Sequence, residues 1–222
     1  MSKFFITSSG TGIGKTLVTC ALTWQLRQQG KSVLALKPVI SDFAENRMEA
    51  TDTYEIIRAM GHRVDADWVT RVSPWRFIAP LSPDMAARRE GKEINFDDLI
   101  DYCRAGHPED MLLIEGVGGA FVPVDHSHMV VDWIDALDMP TILVVGSYLG
   151  TLSHTIATYE SLIGRDIPVA GIVISESLES PVPLEETRDT LQRFLPGTRF
   201  VLLPRVKDWK SAPDLTSLVT GA

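Results

Sequence analysis

The segment from Ser8 to Thr16 carries the residue types that a nucleotide phosphate requires. It reads Ser-Ser-Gly-Thr-Gly-Ile-Gly-Lys-Thr, so alternating glycines lead into Lys15 and Thr16. Glycines allow backbone N–H groups to surround a phosphate, the lysine supplies a cation, and the threonine hydroxyl suits Mg²⁺. The common phosphate-loop pattern has glycine at position 9, where this chain has serine, so the loop is a variant. The pattern predicts phosphate binding in preference to an ordinary glycine-rich turn.

Three charged residues elsewhere are candidates for the same chemistry. Glu115 ends an apolar run and precedes a glycine-rich turn, which favours a carboxylate ligand for nucleotide-bound Mg²⁺ over a solvated acid. Lys37 precedes Pro38 at the end of another apolar run, and its position fits an active-site cation and a solvated lysine equally well. Asp52 opens a helical stretch and is, taken alone, more typical of a helix N-cap.

Six runs of the sequence are apolar nearly throughout. Such runs are typical of parallel strands buried on both faces, and they indicate the elements that position these residues. The predicted strands span residues 3–7, 32–38, 111–115, 140–146, 169–175 and 199–204. The predicted helices span residues 17–28, 50–60, 83–90, 96–104, 130–137, 153–164 and 184–194. This alternation predicts an α/β fold with a doubly wound, mostly parallel sheet and helices on both faces, like that of P-loop NTPases.

Region 43–92 has no clear strand and is predicted to be an excursion of helices and loops. No linker divides the chain, so residues 1–222 are predicted to form a single domain. Ligands in such sheets bind beyond the carboxyl ends of the strands, where the phosphate loop, Lys37 and Glu115 are all expected.

The composition indicates which kinds of partner and which cellular compartment fit this chain. The net charge of −8 argues against duplex nucleic acid. The two cysteines, Cys20 and Cys103, are far apart and fit thiols in a reducing compartment rather than a disulfide or zinc site. No apolar run is long enough to cross a bilayer, and the chain starts without a leader pattern. A cytoplasmic protein without nucleic-acid or membrane partners is therefore expected.

Several motifs together resemble the dethiobiotin synthetase family, and the likeness covers essentially the whole chain. They are the offset loop T-G-I-G-K-T, K-P-V-x-S from Lys37 to Ser41, E-G-x-G-G from Glu115 to Gly119, and L-V-V-G-x-x-L-G from Leu143 to Gly150. A proline-rich segment, A-P-L-S-P over residues 79–83, precedes a helix that reaches Glu90 and Gly91.

The resemblance implies ATP- and Mg²⁺-dependent carboxylation and ring closure of 7,8-diaminopelargonate with CO₂, a step of biotin biosynthesis. In this family an amine captures CO₂ as a carbamate, and ATP phosphorylates it to a carbamic-phosphoric anhydride. The neighbouring amine then closes the ring to give dethiobiotin, ADP and phosphate. No protein nucleophile is required, so the protein must position reactants and neutralise charge.

The resemblance also implies the role of each site residue. The catalytic residues would be Lys37, Lys15 and Thr11. The nucleotide would be bound by Gly12, Ile13, Gly14, Lys15, Thr16, Asp52, Glu115, Gly116, Val117, Gly118, Ser175, Glu176, Pro204, Arg205 and Val206. Mg²⁺ would be held by Thr16, Asp52 and Glu115. The substrate would be bound by Ser41, Gly150, Thr151, Leu152 and Ser153. In the family the last four open a helix that faces the substrate carboxylate bound by the partner subunit, which implies an active homodimer.

The chain departs from the usual family pattern at three places. Ser8-Ser9-Gly10 replaces G-T-D, and Asp84 stands where histidine is common. Ser175-Glu176 replaces Asn-Asp or a similar amide pair, and one hydroxyl cannot offer a base both the donor and the acceptor of an amide. The preferred nucleotide therefore stays open.

Two other functions share features with this chain. The first is a deviant-loop partitioning or regulatory ATPase, a nucleotide switch on DNA or membrane. That class has a lysine near the start of its loop, where this chain has serines, and the stretch 211–222 is not basic. The second is an amide-forming ligase for a larger cofactor, which usually has an added glutamine-hydrolysing domain, for which 222 residues leave no room.

Overall fold

The computed structural model describes residues 2–220. Its main sheet is built from β1 (Ser2–Ser8), β2 (Val33–Leu36), β5 (Met111–Glu115), β6 (Thr141–Val145), β7 (Val169–Ser175) and β8 (Phe200–Leu203). The strand order is β2-β5-β1-β6-β7-β8, and every pair of neighbours is parallel. A separate parallel pair is formed by β3 (Val39–Ile40) and β4 (Trp75–Arg76).

Helices connect the strands. They are α1 (Lys15–Gln28), α2 (Asp52–Ala59), α3 (Ala66–Val72), α4 (Pro83–Arg89), α5 (Phe96–Arg104), α6 (Val130–Leu137), α7 (Thr151–Ile163) and α8 (Leu184–Phe194). Short 3-10 helices span Glu45–Ala50, Trp209–Ser211 and Thr216–Leu218. The alternation of parallel strands and helices confirms the predicted α/β class.

The centre of the sheet is the core of the molecule. Strands β5 and β6 are buried along their whole length, as the continuous apolar runs predict for strands covered on both faces. In β1, Phe5 is fully buried and meets Trp133 of α6 edge to face, with ring centroids 5.0 Å apart. Parallel pairing with Ile6 opposite Glu115 places the carboxyl ends of β1 and β5 side by side, and the candidate site lies there.

The excursion between β2 and β5 differs from its prediction. Strand β4 lies within region 43–92, where no strand was expected, and its two residues are too few to form a periodic signal. Helix α3 was also not predicted, because Trp68, Val69, Thr70 and Val72 favour strand in isolation. The helix begins because the Asp65 side chain accepts a hydrogen bond from the Trp68 N–H, and it packs on α2.

Candidate functional site

The phosphate loop joins β1 to α1 through two glycines in the left-handed region. Gly12 has φ of 72° and Gly14 has φ of 105°, a conformation that costs other residues free energy. Gly14 is also the N-cap of α1, and no side chain caps the helix there. The N–H groups of the first helical turn therefore point to the space where an anion would bind.

The glycine-rich segment after β5 packs directly on this loop. A β-carbon added to Gly119 would lie 3.0 Å from the backbone nitrogen of Gly10, so only glycine fits without displacing the backbone. The Ala120 N–H donates to the Ser8 carbonyl oxygen at 2.9 Å. The glycines after β5 therefore allow the two backbones to approach closely.

Lys37 stands between two carboxylates. Its ammonium lies 2.5 Å from Oδ2 of Asp52 and 2.7 Å from Oε1 of Glu115. The Thr16 hydroxyl donates to the same Glu115 oxygen at 2.8 Å. Four residues from the start of α1, the ends of β2 and β5 and the start of α2 are thus joined in one network. Thr51, and not Asp52, caps α2, so the Asp52 carboxylate is available to Lys37.

Burial and charge act in opposite directions on this network. Burial opposes the charge of Lys37, but the carboxylates of Glu115 and Asp52 outweigh it and raise the lysine pKa above its usual value. For Asp52, burial opposes ionisation, yet the nearby Lys37 ammonium holds the carboxyl pKa below its usual value. Lys37 and Asp52 are therefore a charged pair at neutral pH.

Lys15 has neutral partners instead. Its ammonium donates to the Gly118 carbonyl oxygen at 2.6 Å and to Oγ of Ser8 at 3.1 Å. Burial, with the repulsion of Lys37 added, lowers the pKa of Lys15 to about 8. The residue is only 6% exposed.

Both lysines line one cavity of about 750 Å³, so the two cations that the sequence singled out share one binding space. Among the predicted site residues, the lining also includes Thr11, Gly12, Ile13, Gly14, Thr16, Ser41, Asp52, Val117 and Gly118. Glu115 and Gly116 are fully buried next to it, and Glu115 reaches the cavity wall through Lys37 and Thr16.

The donor set suits a hard divalent cation. Oε2 of Glu115 is buried and has no hydrogen-bond partner within residues 2–220, which leaves a carboxylate oxygen for a cation. Described residues contain no group of three or more His, Cys, Asp or Glu side chains able to hold a metal ion. A Mg²⁺ site here would therefore combine Thr16, Asp52 and Glu115 with phosphate oxygens, as Mg²⁺ prefers.

Five of the residues predicted to bind the nucleotide, at the ends of β7 and β8, do not line this cavity. The position of a β-carbon on Gly14 would be 2.8 Å from Oγ of Ser175, so Ser175 packs against the phosphate loop. The Arg205 N–H donates to Oε2 of Glu176 at 2.8 Å, joining the ends of β7 and β8. Val206 lines a neighbouring cavity of about 380 Å³ together with Thr16. Pro204 is exposed beside it.

The predicted substrate residues at the start of α7 are not among the residues that line either cavity. Gly150 caps the helix in a left-handed conformation, and the Thr151 hydroxyl donates to the Gly146 carbonyl oxygen at 2.7 Å. Leu152 and Ser153 face outward beside Leu149, which is 90% exposed. Their predicted contact depends on a second chain and stays a prediction.

Some lining residues were not predicted. Ile40 and Asp42 extend the wall beyond Ser41, and the remaining ones are Val122 and Pro80, Leu81, Ser82 and Pro83. The segment 79–83 is one of the motifs shared with the family, but the sequence did not indicate what this segment does. Ser8, which contacts Lys15, was noted only as a departure from the family pattern.

Comparisons with known proteins first place the chain in a fold class. A family model described as an AAA domain matches residues 2–212. A ParA family ATPase from Chlorobium tepidum has a TM-score of 0.55 and 18% identity, covering 99% of this chain and 90% of that one. A MinD protein complexed with Mg-ADP from Pyrococcus horikoshii has a TM-score of 0.51 and 16% identity, covering 91% and 81%. The fold is that of P-loop ATPases, and likeness at this identity concerns the fold alone.

Sequence relatives are more specific. A protein of Acidiphilium cryptum named ATP-dependent dethiobiotin synthetase BioD is 45% identical over 218 residues, covering 96% of this chain and 98% of the relative. A protein of the same name from Caulobacter vibrioides is 42% identical over 222 residues, covering 99% and 98%. The chain belongs to the ATP-dependent dethiobiotin synthetase family. The predicted class, an ATP-dependent cyclo-ligase of biotin biosynthesis, is confirmed with the family.

Within residues 2–220, no helix is both long and apolar enough to span a bilayer.

Proposed function

We propose that the cavity between the phosphate loop and Lys37 converts 7,8-diaminopelargonate, CO₂ and ATP into dethiobiotin, ADP and phosphate. The observation that carries this proposal is the pair of buried lysines, Lys15 and Lys37, lining one cavity beside a phosphate loop. Relatives named dethiobiotin synthetase, at 39 to 45% identity, supply the identity of the product.

The reaction needs charge neutralisation more than bond-making by the protein. One substrate amine adds to CO₂ and loses a proton, giving a carbamate. A carbamate oxygen then attacks the γ-phosphorus and breaks its bond to ADP. The second amine attacks the resulting carbonyl carbon and loses a proton, the carbonyl C–O bond to phosphate breaks so that phosphate leaves, and the ring closes. Negative oxygens accumulate at each stage, and preorganised cations in a buried site stabilise them better than water does.

Each residue would have a distinct part. Lys37 and Lys15 would face the carbamate and the transferred phosphoryl group, and Thr11 would donate a hydrogen bond there. Residues 12–16 would hold the phosphates with backbone N–H groups. Thr16, Asp52 and Glu115 would hold Mg²⁺, which when bound neutralises phosphate oxygens. Ser41 would contact the diamine.

The remaining predicted contacts complete the proposal. The nucleoside would lie against Ser175, Glu176 and residues 204–206, and Gly116, Val117 and Gly118 would line the nucleotide. The substrate carboxylate would be bound by the N-terminus of α7, residues 150–153, from the second subunit of a homodimer. A cytoplasmic location and a single domain over residues 1–222 are part of the same proposal.

The test is a reaction of the purified protein with MgATP, bicarbonate and the diamine. We expect ADP release that depends on the diamine, and a cyclic urea product with the mass of dethiobiotin. The Lys37→Ala variant should lose both, whereas Lys31→Ala, which removes an exposed lysine, should keep them. Absence of diamine-dependent ADP release and of the cyclic product in the wild-type protein would refute the proposal. Tight ATP-dependent binding to DNA or liposomes would instead favour a partitioning switch.

A further inference from the structure

Ser8 occupies a junction that none of the predicted roles includes. Its hydroxyl oxygen lies 2.6 Å from the Gly10 carbonyl oxygen and 2.9 Å from the Gly118 carbonyl oxygen, and it accepts from the Lys15 ammonium at 3.1 Å. The side chain is fully buried at the end of β1. One hydroxyl therefore connects the strand, the phosphate loop, the segment after β5 and a cavity lysine.

The hydrogen bonds of the Lys15 ammonium indicate what the Ser8 hydroxyl does at this junction. An ammonium group has three N–H donors and rotates freely unless its acceptors hold it. Two directions are taken by Ser8 and by the Gly118 carbonyl oxygen. Because Lys15 also lines the cavity, fixing two donors fixes the direction of the third toward a ligand there.

Neighbouring hydroxyls do not share this arrangement. The hydroxyl groups of Thr7 and Ser9 are buried, and neither has a hydrogen-bond partner within the part of the chain that the structure describes. A buried hydroxyl oxygen is thus common to three residues in a row, whereas contact with the lysine belongs to Ser8.

We propose that Ser8 is a positioning residue, which orients the Lys15 ammonium so that one of its N–H donors faces the transferred phosphoryl group. This role rests on the proposed function of the cavity. Serine at this position would take part in catalysis only through Lys15, without contact to the reacting atoms. The prediction is a specific effect on turnover with little effect on nucleotide affinity.

The experiment compares Ser8→Ala and Ser8→Gly with Thr7→Val, which removes an equally buried hydroxyl that has no partner. For the two Ser8 variants we expect kcat to fall about tenfold, equal to about 1.4 kcal/mol of barrier, while KM for ATP changes less than about twofold. Thr7→Val should change neither. Thermal unfolding of all variants identifies any loss of folded protein.

A second measurement needs no turnover. The ¹⁵N signal of the Lys15 ammonium, identified by its loss in Lys15→Arg, should be visible in the wild-type protein at about pH 6, where lysine is charged. It should broaden beyond detection in both Ser8 variants, because the ammonium rotates and exchanges faster, and it should persist in Thr7→Val.

Each outcome has one meaning. Unchanged kcat and an unchanged signal in the Ser8 variants would overturn the positioning role, as would a wild-type protein without the signal. Equal losses in Thr7→Val would also overturn it, because the effect would then be structural. If the wild-type protein shows no diamine-dependent turnover, the proposed function fails, and the ammonium signal still decides whether Ser8 orients Lys15.

Discussion

Lys37 and Lys15 line the same cavity, yet the groups that accept their hydrogen bonds differ in charge, and the two lysines differ in pKa. Lys37 is held by the carboxylates of Asp52 and Glu115, and its pKa is raised despite burial. Lys15 is held by a hydroxyl and a carbonyl oxygen, and burial lowers its pKa to about 8. The contrast shows that burial alone does not set the pKa of a lysine, because the charges of neighbouring groups also contribute.

The two lysines should therefore differ in what they contribute to folding. Lys37 balances Glu115, which is fully buried, whereas Lys15 balances no carboxylate in direct contact. We expect the first to be needed for both stability and activity, and the second for activity alone.

The largest effect is expected from Lys37→Ala, which leaves the Glu115 carboxylate buried without its cation. Removing one partner of a buried pair costs about 3–5 kcal/mol of unfolding free energy. Urea unfolding measures this loss, and turnover should fall more than about a hundredfold.

A matched double variant sharpens this result. Lys37→Met combined with Glu115→Leu removes both charges and should recover most of the lost stability without recovering turnover. A Lys37→Ala protein as stable as wild type would mean that the pair is not a buried ionic contact.

Lys15→Ala comes next. Turnover should again fall about a hundredfold, because a preorganised cation is lost. The variant should lose less than about 1 kcal/mol of unfolding free energy at neutral pH, since the Ser8 hydroxyl can still donate to the Gly118 carbonyl oxygen and the penalty for burying the lysine charge is removed. Destabilisation equal to that of Lys37→Ala would contradict the expectation that only Lys37 is needed for stability.

The smallest effect is a difference in pH dependence. The pKa of Lys15 falls from 10.5 in the unfolded chain to about 8 in the folded protein, so the unfolded state binds more protons between these values. Folding is disfavoured by this group below about pH 8, and that penalty is relieved as the pH rises toward 10.5. Lys37 acts oppositely, because its raised pKa supports folding at neutral pH and the support is lost above the pKa of the unfolded chain.

The comparison is made by urea unfolding of the wild type and Lys15→Ala at several pH values. Wild-type stability relative to the variant should increase with pH across that interval, by at most about 1.4 kcal/mol per pH unit. A constant or decreasing difference would show that Lys15 keeps an ordinary pKa in the folded protein.

Much of the site followed from the sequence because it lies at strand ends. Lys37, Glu115 and the phosphate loop each follow a continuous apolar run, and parallel strands bring their carboxyl ends to one edge. The observed order places β5 between β2 and β1, so these three ends are neighbours. No local pattern specifies that order, since it depends on how helices pack across the sheet.

Other contacts were beyond local patterns. Asp52 reaches Lys37 only because Thr51 takes the N-cap position, and both residues are acceptable caps. Ser175 lies against Gly14 although β6 separates β7 from β1 in the sheet. Contacts of this kind depend on loop paths and strand twist, which residue types alone do not determine.

Gly119 shows how a residue without any functional group can control this edge. It sits so close to Gly10 that the two backbones touch where a methyl group would otherwise lie. A bulkier residue at 119 would wedge apart the two corners of the sheet that carry Lys15 and Glu115. The spacing between a cation and a carboxylate is thereby governed from a position that bears neither.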